Sequence, residues 1–329
     1  VQGAPELFAS EQAERHRAAS AMLAGLLLHG SIEVRGQAMK ALESIMYVID
    51  DAAKKHYTEC VRSIVTGFGE LARSKPDDRD EDVMCGYMEP MIGLLADCPK
   101  LFKAVAGEVA GASLVLANQS DLEVQVRGLA IEVFLSLVEA HQSVFRKLPD
   151  LVANGANVIL KMISEVEDCQ EWYDADDPEA DDEIDEVGIL GEQCLDRYAI
   201  ALKGQIVAEP LFSLIAAMLK SSGDWRHQYA ALKGIASAAE GCMDVLEDRL
   251  GEVLGLVWPA FSSSHPRVQY AACHALGQLC TDFDGRIQQQ YCRQSLEALV
   301  GMLGRADRAR VLQHAAAALV NFAEGVDAG

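Results

Sequence analysis

No Cys-x-x-Cys pair, no apolar run of membrane-spanning length and no nucleotide-loop or protease signature occurs in these 329 residues. Each absence removes a class. A bilayer span needs about 18–20 consecutive apolar residues; LAGLLLHG near the start is far shorter and lacks a signal-peptide layout. The nine cysteines fall largely in apolar stretches, where a thiol behaves as a small hydrophobe, so they are expected to be reduced and buried in a soluble, cytosolic protein. The lone sequon Asn118-Gln119-Ser120 is then a chance match. Without G-x-x-x-x-G-K-[ST], H-E-x-x-H, G-x-S-x-G or G-x-G-x-x-G, and with its eight histidines scattered, the chain is not expected to be an enzyme or to need a cofactor. His274 and His314 fall inside helical stretches and read as packed residues rather than catalytic ones.

Basic residues are also scarce. Twenty-eight Lys and Arg face fifty Asp and Glu, for a net charge of −22. Thirteen of those acids lie between Glu165 and Glu186, and the remaining thirty-seven still outnumber the basic residues. Residues 167–186, EDCQEWYDADDPEADDEIDE, contain no lysine or arginine at all. Such a balance disfavours contact with nucleic-acid phosphates and favours basic proteins or peptides. The acid run is no calcium loop of the EF-hand kind, because DADDPEADDEIDE lacks the glycine required at its sixth position. Trp172 and Tyr173, within it, either form a contact point or dock the segment onto the rest of the chain.

What the chain does contain is a repeat. HQYAALKGI from His227, VQYAACHAL from Val268 and VLQHAAAAL from Val311 begin 41 and 43 residues apart, with earlier copies VRGQAMKAL from Val34 and VRGLAIEVF from Val126. Small residues at i, i+3 and i+4 make a helix face that a neighbouring helix can approach closely. Upstream of each clear copy lies a second amphipathic segment, over 205–220, 246–261 and 286–303. Helix pairs of about 40 residues that cannot bury their faces alone predict an all-α fold, a HEAT-repeat right-handed α-solenoid. Residues 1–329 read as one array of about seven units. The interval from Val126 to the weak copy at Cys194 lengthens to 68 residues, so the acid-rich stretch 165–186 is a loop inserted within a repeat.

Acid also recurs at one repeat position. Glu240, Asp282 and Glu324 follow one another at intervals of 42, at the ends of the second helices. A carboxylate there opposes the helix dipole at a cost of a few tenths to about 1 kcal/mol, so stability alone favours Lys or Arg. Asn321 shares the face of Glu324 and can hydrogen-bond an extended peptide backbone. Two readings are open: solvated helix ends, with Asp282 capping the next helix, or a ladder of carboxylates that accepts charge-assisted hydrogen bonds from the ammonium groups of a lysine-rich segment.

GEQCLDRYAIALKG, DWRHQYAALKGIASAAEGC, HPRVQYAACHALGQLCTDF and HAAAALVNFAEG together resemble the importin-β-type nuclear transport receptors, in the importin-five (karyopherin beta three) branch. The similarity is strongest from about Gly191 to Gly325 and collinear upstream. It implies a receptor that shuttles between cytoplasm and nucleus and binds lysine-rich localisation signals on its concave face. The cargo implied is ribosomal proteins and histones, released by RanGTP, with nucleoporins as further partners of the full-length receptor and neither nucleic acid nor membrane insertion involved. The cargo-binding acids of the family fall on Asp196, Glu240, Asp282, Asn321 and Glu324. The insertion resembles the family's acidic loop, which takes part in Ran contact and cargo release; Asp174, Asp176, Asp177, Asp181 and Asp182 are its candidate residues. Family members are about three times this length, so the chain is expected to be a central fragment of a longer solenoid. A HEAT-repeat scaffold for another assembly is the alternative reading, without need of the carboxylate ladder.

Overall fold

The computed structural model describes residues 13–174, 185–220 and 223–326. Among the described residues there is no strand, and fourteen helices have eight or more residues. The chain divides into two compact units, Val1–Leu151 and Val152–Gly329.

In the first unit the helices pair as α1 (Ala13–Leu26) with α2 (Ile32–Val48), α3 (Thr58–Ala72) with α4 (Glu81–Asp97), and α5 (Ala106–Ala117) with α6 (Val124–Ala140). First helices pack on first helices and second on second, so each pair covers the face its neighbour leaves open. Two of the three second helices start on side-chain caps: Ser31 accepts a hydrogen bond from the Val34 amide, and Asp80 from that of Val83. Between α3 and α4, the buried Tyr87 hydroxyl donates to the Ile64 carbonyl at 3.0 Å while its ring stacks on Phe68.

The second unit contains α7 (Pro149–Ile163) with α8 (Glu186–Leu202), α9 (Gln205–Lys220) with α10 (Trp225–Ala238), α11 (Leu250–Val257) with α12 (Pro266–Asp282), and α13 (Cys292–Arg305) with α14 (Ala309–Glu324). The expected first helices over 246–261 and 286–303 are each broken. A helical turn at Met243–Leu246 precedes α11, and the chain tightens into a 3-10 turn at Trp258, where Pro259 supplies no amide to continue the α-helix. Before α13 a short helix, Arg286–Gln290, stops at Tyr291, whose ring turns towards Trp258 and lies over Gly251. Pro266 takes an early helical position, as its missing N–H predicts. Seven cysteines are buried as expected, and burial pushes the thiols of Cys242, Cys273 and Cys280 up to about 12; Cys169, in the coil just before a short helix at Gln170, is half-buried, and Cys292, the first residue of α13, is exposed.

α8, α10, α12 and α14 form a layer in which each packs on the next. Their contact is close because the facing residues are small: a Cβ on Gly277 of α12 would stand 3.1 Å from the Cβ of Ala318 on α14 and 3.2 Å from its Cα. Replacing Gly277 with Val drives these helices apart, and chemical denaturation of the variant is expected to show a loss of about 1–3 kcal/mol.

Candidate functional site

The carboxylates singled out by repeat position and resemblance all belong to this second-helix layer. Asp196 is two turns from the end of α8, Glu240 lies in the turn just past α10, and Asp282 and Glu324 are the last residues of α12 and α14. Gly241 seats the Glu240 turn against α8: an added Cβ would fall 2.4 Å from the Ala199 carbonyl carbon and 2.5 Å from the Ile200 amide nitrogen. The contact lies one turn along α8 from Asp196. Three of the acids are thereby brought within electrostatic reach. Desolvation and then the charge of Glu240 raise the carboxyl of Asp196; desolvation, Glu240 and Asp196 raise that of Asp282, against a lowering hydrogen bond from Gln278. Gln278 Nε2 donates to Asp282 Oδ1 at 2.9 Å, one turn back on the same helix, while Oδ2 is buried without a hydrogen-bond partner. Asp282 does not cap the following helix, whose cap position is Gly285 in a left-handed conformation. Among the described residues, none of Asp196, Glu240, Asp282 and Glu324 is in an ion pair.

Asn321 faces the same seam, its Nδ2 donating to the Gly277 carbonyl at 3.4 Å, which leaves its amide oxygen for another donor. Glu324 is exposed, and no interaction ties it to the other three. The structure therefore brings together Asp196, Glu240 and Asp282, with Asn321 alongside on α14.

A second row, not anticipated from the sequence, crosses the same layer nearer its middle. Glu192 of α8 pairs with buried Lys233 of α10 at 2.8 Å, and Lys233 donates to Nδ1 of His274 on α12 at 3.3 Å, with the His314 ring of α14 beyond. Lys233, burial and His314 together hold the His274 pKa well below its ordinary value, so it is a neutral, packed acceptor as expected for an in-helix histidine.

The base of the acid-rich insertion is docked, not splayed. Trp172 is fully buried, edge-on to Tyr270 of α12. Arg267, also fully buried, pairs with buried Asp185 and donates to the Glu167 carbonyl at 2.6 Å, its guanidinium 4.5 Å above the Trp172 ring. Of the candidate loop residues, Asp174 ends a short helix, Gln170–Asp174, and accepts from Gln170 at 2.9 Å. Asp176, Asp177, Asp181 and Asp182 lie outside the described residues. No group of metal-ligating side chains occurs among the described residues, and no helix among them is long and apolar enough to cross a membrane.

Two outcomes are expected. Arg267→Ala removes the buried guanidinium that pairs with buried Asp185, so denaturant unfolding should show a loss of about 3–5 kcal/mol. Asp196→Asn with Asp282→Asn should act in the opposite direction. A carboxyl with a raised folded pKa binds protons more readily folded than unfolded, so its ionised form costs stability at neutral pH and that cost disappears in acid. The double variant should melt about 1–3 °C higher near neutrality and no higher at acid pH, by scanning calorimetry.

Comparison with known proteins agrees along the chain. Family models described as "IPO5-like, TPR repeats", "Importin repeat" and "HEAT-like repeat" match residues 1–110, 119–209 and 225–279. Importin subunit beta-3 of Saccharomyces cerevisiae is 36% identical over 252 residues, which are 75% of this chain and 23% of that protein. The crystal structure of Kap121p bound to RanGTP has a TM-score of 0.86 at 31% identity, covering 92% of this chain and 30% of that one. Kap121p bound to Pho4p gives the same values, and a Kap121p mutant in which an aspartate, a glutamate and a further aspartate are replaced by lysine gives 0.85 at 30% identity, covering 93% and 30%. The chain thus spans about a quarter of the length of this curated relative. Repeat models, relative and solved structures agree, and the chain belongs to the importin-β family, of the importin-5 type, with that family's all-α HEAT-repeat solenoid fold.

Proposed function

We propose that this chain is a cargo-binding segment of a nuclear import receptor. It takes a lysine-rich localisation signal along the second-helix layer, which is the concave wall of the array. Asp196, Glu240 and Asp282 accept the ammonium groups, Asn321 holds the peptide backbone, and Glu324 extends the acidic path at its exposed end. The observation that carries this reading is the state of the clustered acids: Asp196 and Asp282 are partly desolvated and feel the charge of exposed Glu240, none of the three is in an ion pair among the described residues, and one oxygen of Asp282 is buried and unpartnered. Elsewhere in the same layer half-buried Glu192 is neutralised by Lys233 and buried Asp185 by Arg267. A lysine ammonium supplies the missing charge and up to three donors. The order aspartate, glutamate, aspartate is also that of the acids replaced in the Kap121p mutant.

The rest of the proposal follows the relatives. Residues 1–329 are about seven units of one HEAT array, and 165–186 is an acidic loop inserted in one of them, acting with Asp174, Asp176, Asp177, Asp181 and Asp182 in steering basic cargo and in its release. RanGTP drives that release in the full-length receptor. Kap121p has been crystallised with RanGTP, with Pho4p and with Nup53p; the corresponding partners here are RanGTP, basic cargo such as ribosomal proteins and histones, and nucleoporins, met while shuttling between cytoplasm and nucleus. The protein is a carrier and performs no chemistry.

Titrating a fluorescent lysine-rich peptide into the chain and into Asp196→Ala/Glu240→Ala/Asp282→Ala tests the site. Binding should weaken at least tenfold in the variant and fall with added salt, since exposed parts of the pairs are screened over about 8–10 Å. It should also weaken on acidification, because the raised carboxyls of Asp196 and Asp282 take up protons at higher pH than ordinary aspartates, near 3.9, would. Equal affinity of wild type and variant would contradict the assignment.

A further inference from the structure

We infer that Trp172, with Arg267 and Arg310, is a positioning clamp for the cargo site at the opposite end of the same helices. This rests on the cargo-site reading above and adds to it a part for the base of the insertion.

The second residue of α10, of α12 and of α14 is in each case an arginine: Arg226, Arg267 and Arg310. A positive charge at a helix N-terminus opposes the helix dipole. All three are compensated by one short stretch of the insertion. Arg226 Nε donates to the Val166 carbonyl at 2.9 Å, Arg267 Nη2 donates to the Glu167 carbonyl at 2.6 Å, and the guanidinium groups of Arg267 and Arg310 stand 4.5 and 5.1 Å from the centre of the Trp172 ring. Trp172 therefore sits between two buried arginines from successive repeats, in the desolvated setting where cation–π attraction is strongest. Outside it, Arg308 lies over the Tyr173 ring at 5.2 Å, and the Tyr173 hydroxyl donates to Asp168 at 2.6 Å. One segment thus ties together the N-terminal ends of three successive second helices.

The other ends of those helices carry Glu240, Asp282, and Asn321 with Glu324. At 1.5 Å per residue the two ends are about 20–25 Å apart, so a tilt of about 5° at the clamp moves the far end by about 2 Å. That displacement is enough to take an ammonium out of hydrogen-bond range. By fixing the angles between α10, α12 and α14, the clamp sets the spacing of the acceptors without touching cargo.

The test uses the lysine-rich peptide, trimmed to the span of the carboxylates, on wild type, Trp172→Ala and Trp172→Phe. Trp172→Ala should weaken binding about 5- to 20-fold with the slope of log Kd against log salt unchanged, since no acceptor charge is lost, and Trp172→Phe should recover most of the affinity. Coupling is reciprocal, so in wild type the bound peptide should slow hydrogen exchange of the amides of residues 166–173. Full affinity in a cooperatively melting Trp172→Ala protein overturns the clamp. Unchanged exchange at 166–173 in wild type overturns it as well, and decides alone if the alanine variant does not fold. The carboxylate triple variant run alongside separates the two readings. If it binds like wild type, the cargo site fails and the clamp with it; if it loses binding while Trp172→Ala keeps it, only the clamp is overturned.

Discussion

Everything in the second unit depends on how closely its second helices approach one another. Gly277 against Ala318, and Gly241 against the Ala199–Ile200 backbone, leave little or no room for a Cβ on either glycine. Helices this near bring the groups at their ends near as well. That is why the charge of Glu240 is felt at both Asp196 and Asp282, although the three are far apart in sequence. The same approach lets Asn321 reach the backbone of the adjacent helix. A wider layer would still be helical and still acidic, with each carboxylate hydrated separately and no shared demand for a counter-charge.

The polarity of the layer is unusual in one respect. α12 carries arginine at its N-terminal end and aspartate at its C-terminal end, each the reverse of what the helix dipole prefers. At the N-terminal end the conflict is resolved internally, by Asp185, the Glu167 carbonyl and the Trp172 ring. At the C-terminal end it is unresolved among the described residues. In the middle, Glu192, Lys233 and His274 satisfy one another. The unmet charge is confined to one edge, where an incoming lysine would meet it.

The repeat period and the small-residue face made the helix pairs legible in the sequence, because both express the packing directly. Glu240, Asp282 and Glu324 stood out by their interval of 42. Asp196 did not, since it lies mid-helix in α8, beyond an insertion that disturbs the period; only the resemblance pointed to it. Periodicity also treated Glu324 as equivalent to the other acids, whereas the structure leaves it exposed, with no interaction that ties it to the other three. The break at Trp258 comes from Pro259, which an amphipathic pattern does not weigh, and the break at Tyr291 places that ring beside Trp258, a contact the pattern does not encode. Docking of Trp172 was one of two readings the sequence left open, and its partners were hidden: the arginines lie about 95 and 138 residues away and read locally as ordinary helix starts.

The most direct test of the account is the titration of the Asp196 and Asp282 side-chain carboxyl carbons by NMR, with and without a lysine-rich peptide. The account predicts that both titrate above ordinary aspartates in the free protein and shift downward when the peptide binds, as ammonium groups replace the repulsion among the acids. Carboxyl carbons that titrate alike with and without bound peptide would show that the peptide lies elsewhere, and would contradict the central claim.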